Sequence, residues 1–130
     1  MGDNVTVVRQ LYKAFSETDE TALRQLLHPD VEWVQCRGFP GGGHHHGIED
    51  VFEKVFRALR RDWNDWRVEV EEYLDSGKSV VVLGYYAGTH TLTNRSMKAV
   101  FAHVYDVDDG RITRFRQFTD THELVKAAKV

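Results

Sequence analysis

Four strand-like runs fill the second half of this chain, and they restrict its fold more than any other feature. Trp66 to Leu74 alternates apolar and polar residues, as a half-buried strand does. Val80 to Thr91 and Met97 to Val107 are rich in β-branched and aromatic residues, and Ile112 to Phe118 closes the series. Asp75-Ser76-Gly77-Lys78 reads as a turn, and Asp108-Asp109-Gly110 is a strong hairpin signal. A succession of strands joined this way predicts an antiparallel sheet. Val80–Thr91 and Met97–Val107 are apolar on both faces, so both sides of that sheet need a partner.

The first half supplies helices to cover one side. Val5, Val8, Leu11, Tyr12 and Phe15 keep helical spacing, with Asp3 or Asn4 as cap. Thr18 and Asp19 can cap a shorter helix carrying Leu23, Leu26 and Leu27, which Pro29 is expected to end. Val31 to Gln35 reads as a short strand. Ile48, Val51, Phe52, Val55, Phe56 and Leu59 then form one apolar stripe, with Trp63 near the end of that helix. Burying six such side chains is worth on the order of 10 kcal/mol before entropy, so this helix must lie on a large apolar surface. Asp120 and Glu123 have the spacing of a capping box for a last helix over Leu124 and Val125. Helices followed by strands indicate an α+β domain over residues 1–130.

The outer sheet face is expected to meet a second copy, giving a homodimer. The net charge of −3 and the lack of a basic stripe argue against nucleic acid as a partner. With one cysteine, Cys36, the chain cannot close an internal disulfide. No apolar run approaches the ~18 residues of a membrane span, so a cytoplasmic location is expected and no membrane partner.

This order of elements resembles the nuclear transport factor 2-like superfamily, which includes the ketosteroid isomerases, and within it the SnoaL-like proteins. The stretches that carry the likeness are VVRQLYKAFSETDETALRQLLHPDVEW, a glycine-rich loop ending at Gly47 before a helix, and FAHVYDVDDGRITRFRQFTDT. They span essentially the whole chain. The resemblance implies a cone: a curved antiparallel sheet wrapped around N-terminal helices, with a pocket at its open end and dimerisation through the sheet. It also implies a choice of activities, since fold alone does not settle function. A ketosteroid-isomerase set would place its base at Gln35, its tyrosine at Leu11 and its second acid at Ala102 or His103. Glutamine cannot take the proton and leucine cannot donate one, so that mechanism lacks its parts. A SnoaL-type cyclase would have a histidine at His103 and an acid at Gln117; Asp120 is the nearest carboxylate. The Asp-Arg-Asp set of limonene-epoxide hydrolases has candidate arginines in Arg114 and Arg116, but no alternating acids.

His103, between Phe101 and Tyr105 on one strand face, is the strongest candidate for the site. Its imidazole could be a general acid/base or a hydrogen-bonding group in an apolar wall. Gln117 is expected close by, across the hairpin. Tyr12, Trp33, Gln35 and Trp63 are expected to line the same pocket. Cys36 has no base assigned to it by the sequence, and a small buried or rim thiol is the better reading.

The loop FPGGGHHHGIED contains three consecutive histidines. An internal run this short is not a purification tag. In extended backbone only His44 and His46 could share an ion, with Asp50 or Glu49 as a further ligand, and no metal-site spacing is present. His45 or His46 is read as pocket rim, and no metal or cofactor is expected. Two functions follow. One is a binding module for a small organic molecule; the other is a cofactor-independent cyclase, isomerase or hydratase using His103. A carboxylate within reach of His103 would favour the second.

Overall fold

The computed structural model describes residues 2–40 and 42–130; Met1 and Gly41, the first glycine of the histidine loop, lie outside them. Helix α1 (Gly2–Ser16) turns Val8 and Leu11 into the core, as its spacing predicts, and buries Ala14, which lies outside the predicted stripe. Asp19 caps α2 (Glu20–Leu26), its carboxylate accepting the Ala22 N–H at 3.1 Å. This helix ends earlier than Pro29 suggests. Leu27 is already extended and starts β1 (Leu27–Val34), where it is buried. Pro29 sits inside that strand, where pairing is interrupted between Leu27 and Glu32, so its missing N–H costs no ladder bond.

After β2 (His44–His46) comes a helical rod: α3 (Ile48–Val51), a π-helical turn (Phe52–Phe56) and α4 (Arg57–Asp62). The apolar stripe reaches the core at Val51, Phe52, Val55 and Phe56. The widened turn adds a residue to the repeat, a feature that hydrophobic spacing does not reveal. Trp63 is not at the helix end, as expected, but is the first residue of β3 (Trp63–Ser76).

The sheet continues through β4 (Ser79–His90), β5 (Ser96–Asp108) and β6 (Arg111–Thr119), and α5 (Thr121–Ala128) follows. Its order is β2-β1-β6-β5-β4-β3. Strands β3 to β6 form the expected antiparallel succession, whereas β1 and β6 run parallel. The parallel pair arises because β1 is separated from β6 by the whole of the rod and sheet, not by a hairpin. Asp109 and Gly110 both have positive φ, 51° and 76°, as the two central residues of a tight hairpin require. Bulges in β3, between Asn64 and Arg67 and between Val70 and Glu72, bend the sheet around the helices. Asp120 precedes α5 but makes no side-chain cap, and Glu123 pairs with Lys126 at 3.1 Å, so the expected capping box does not form.

A cavity with a neutral hydrogen-bond relay

Period-two alternation decides which side chains enter the cone. On β5 it turns Phe101, His103 and Tyr105 inward, and on β6 it turns Phe115 and Gln117 the same way. His103 and Gln117 are register partners across the hairpin. With α1 and the rod they surround a narrow cavity of about 50 Å³. Tyr12, Trp33, Gln35, His103 and Gln117, all expected from the sequence, line it. Tyr86, Tyr105, Trp66 and Phe39 also line it and were not foreseen as site residues. Tyr86 could have been found from the alternation Val80, Val82, Tyr86, but a strand apolar on both faces does not declare which face is inward.

Trp63 and His45 line an adjoining recess instead, which shares Gln35, Phe39, Val55 and Leu59 with the central cavity. His44 and His46 point away from it. Both reach Glu32 of β1, and not Asp50 or Glu49: His44 makes a close contact with Glu32, and His46 Nε2 lies 3.9 Å from Glu32 Oε1. Among the described residues no group of three His, Cys, Asp or Glu side chains is placed to hold a metal ion.

The polar groups of the cavity form one chain. Tyr105 donates to the Tyr12 hydroxyl at 2.9 Å, and the Tyr12 hydroxyl lies 2.7 Å from His103 Nδ1. His103 Nε2 is hydrogen-bonded to the Tyr86 hydroxyl, which in turn accepts Gln117 Nε2–H at 2.9 Å. Gln117 Oε1 accepts the Cys36 backbone N–H at 3.3 Å and faces the Cys36 thiol at 3.6 Å. Thus both imidazole nitrogens are held by phenols. The imidazole also stacks on Phe101, with ring centroids 3.8 Å apart.

Every member of this chain is neutral near pH 7. Burial alone holds His103 well below the ordinary imidazole range, because the charged form would lose its water. Burial likewise pushes Tyr12, Tyr86 and Tyr105 above the usual phenol range. No carboxylate among the described residues counters it at His103; the group that would mark an acid/base histidine is missing there.

The proton count of the relay has a chemical consequence. Three hydroxyls and one neutral imidazole carry four protons, yet the bonds linking Tyr105, Tyr12, His103 and Tyr86 number three. The bond from Gln117 to Tyr86 uses an amide proton and absorbs none of the four. Whichever tautomer His103 adopts, one hydroxyl proton is left without an acceptor in the chain. Trp33 and Trp66, also in the wall, have buried indole N–H groups without a partner among the described residues. The cavity is apolar, uncharged and rich in spare donors.

A profile of the SnoaL-like domain matches residues 8–115 of the chain. An NTF2-like protein from Burkholderia thailandensis is 32% identical, with 96% of each chain covered and a TM-score of 0.91. A second NTF2-like protein, from Burkholderia pseudomallei, is 30% identical over 100% of each chain, with a TM-score of 0.90. TerC, whose structure was determined with polyporic acid, shares the fold at 24% identity and a TM-score of 0.87, with 98% of this chain and 99% of TerC covered. No relative was found among curated proteins. With the profile spanning most of its length and the cone built as described, the chain belongs to the SnoaL-like family of the NTF2-like fold.

Proposed function

We propose that this protein binds a small, planar organic molecule in the central cavity, with its polar edge turned to the Tyr12-His103-Tyr86-Gln117 relay. The observation that carries the reading is the relay's surplus proton beside orphaned indole donors, all in an uncharged aromatic chamber. Such a site rewards a guest with acceptor oxygens, since each buried donor left unpaired costs about 1–3 kcal/mol. The same arrangement weakens the alternative in which His103 is the general acid/base: both its nitrogens are engaged and no carboxylate supports its charged form. The complex of TerC with polyporic acid supports a ring compound as ligand for this fold.

Titration with 9-fluorenone, a neutral planar ketone, should quench the fluorescence of the wall tryptophans. A Kd on the order of 10 μM is expected from its size, about −7 kcal/mol. Leu59→Trp, which fills the shared wall between cavity and recess, should weaken binding at least tenfold. Absence of binding up to the solubility limit, or equal binding by Leu59→Trp, contradicts the reading.

We also infer that the chain works as a homodimer through the outer sheet face. Val100 and Phe118 are 62% and 53% exposed, and Leu83, Ala102 and Phe118 lie side by side across β4, β5 and β6. Lys98, Glu69 and Arg67 on β5 and β3 rim this apolar strip, as an interface edge is rimmed. Sedimentation at micromolar concentration should give twice the 15.0 kDa chain mass, and Val100→Glu should give a monomer. A wild-type monomer at that concentration would rule the interface out. No helix among the described residues is long and apolar enough to cross a membrane. A cytoplasmic setting, with the thiol of Cys36 reduced, fits this reading.

A further inference from the structure

The support that His103 lacks is present at another histidine. Extended backbone in β2 sends His45 to the side opposite His44 and His46, and it alone of the three is buried, at 8% exposure. Its Nδ1 lies 3.7 Å from Asp50 Oδ2, one small side-chain adjustment from a hydrogen bond, a length common in sites before a guest tightens them. Its Nε2 is buried with no hydrogen-bond partner among the described residues. The carboxylate is itself fixed: Asp50 Oδ1 accepts Lys54 Nζ at 2.9 Å, and Oδ2 accepts the His46 backbone N–H at 3.1 Å. Those two bonds, the lysine first, hold Asp50 below the usual carboxylate range and therefore ionised.

An ionised carboxylate can only accept, so of the two neutral tautomers of His45 it selects the one with its proton on Nδ1. Nε2 then carries an unshared lone pair, which is the form a general base needs. A buried acceptor left empty is costly, and no donor among the described residues fills this one. The residue lines the recess that shares Gln35, Phe39, Val55 and Leu59 with the central cavity, so the two spaces adjoin at those side chains. The other charged groups facing the recess are Glu53, Lys54, Arg61 and Asp62, with Arg61 and Asp62 paired at 3.0 Å.

We propose that His45, backed by Asp50, is a general acid/base at the mouth of the cavity, acting on a weakly acidic C–H or O–H of the bound molecule. This rests on the reading that the cavity accepts a small organic guest. The step is a proton transfer alone and needs no cofactor.

The test uses 5-nitrobenzisoxazole, a neutral planar probe that reports a base in an apolar pocket. His45 Nε2 takes the proton on C3, the freed pair completes the nitrile, and the N–O bond breaks to leave a coloured phenolate. The proton then passes from His45 to water. Wild-type protein should accelerate the elimination over buffer. His45→Gln should lower kcat at least tenfold with little change in KM. Asp50→Asn should lower kcat with little change in KM, because the imidazole loses the carboxylate that orients its Nδ1 proton. His44→Gln, on the exposed side, should leave the rate unchanged. Binding of the unreactive isostere 5-nitroindazole is measured in parallel by tryptophan quenching. If the isostere binds but the rate ignores His45→Gln, the proposal is wrong and the binding reading stands. If the isostere does not bind at all, the binding reading fails and takes the proposal with it. A fold defect in His45→Gln is covered by Asp50→Asn, whose kcat must fall with KM little changed if His45 is the base.

Discussion

Replacing Gly84 by alanine is expected to destabilise the protein by about 3 kcal/mol or more, enough to leave much of it unfolded at ordinary temperatures. A Cβ built on Gly84 would lie 2.2 Å from the Glu69 carbonyl oxygen and 3.0 Å from the Phe101 ring. The first of these atoms is backbone, held in the β3–β4 ladder next to the bulge between Val70 and Glu72, so it cannot swing aside. Relief requires the two strands to part where the sheet bends most. Gly110→Ala, where a Cβ meets nothing within 4 Å but φ is 76°, should cost only about 1 kcal/mol. Urea or thermal unfolding of both variants checks the order. A Gly84→Ala protein as stable as wild type would mean that the sheet is not bent as described.

The second large effect concerns pH. His103 is held well below the ordinary imidazole value of about 6.5 by burial, while the unfolded chain titrates near that value. Between the two, the unfolded state binds a proton that the folded state refuses. The contribution is therefore fully present above about pH 6.5 and is lost as the pH falls toward the folded value. The slope approaches 1.4 kcal/mol per pH unit for this one site. To isolate this one site the measurement is a difference: His103→Gln, which keeps a donor and an acceptor between Tyr12 and Tyr86, should show a shallower acid loss than wild type. Equal slopes would contradict the buried, neutral histidine.

Much of this architecture was legible because its signals are local. Helical spacing named the helix of Val8 and Leu11, the Asp109-Gly110 turn announced its hairpin, and alternation around Phe101 and Tyr105 placed His103 on an inward face. Boundaries failed where tertiary pairing overrode a local rule. Leu27 left its helix for β1 because the strand beside β6 buries it fully, and Trp63 became a strand residue by pairing with His90. Asp120 and Glu123 have capping-box spacing, yet Glu123 turns to Lys126.

The site was half legible for a similar reason. His103 and Gln117 are linked by one hairpin, so their proximity follows from sequence register. Tyr12, Tyr86 and Tyr105 meet His103 from three separate elements, and no local pattern records that convergence. The partnership of His45 with Asp50 was hidden by the run of histidines itself. Which member of the run is buried depends on the register of β2 against β1, fixed by Trp33 facing His45.

The most direct measurement of the central claim is a side-chain NMR titration of His103. The claim is that this imidazole is buried between two phenols in an uncharged relay lining the cavity. Resonances from its ring nitrogens should show one neutral form near pH 7, with a midpoint well below 6.5, and should shift when 9-fluorenone is added. A midpoint at or above 6.5 would mean either solvent access or a carboxylate partner, and either finding would contradict the neutral relay and the function built on it.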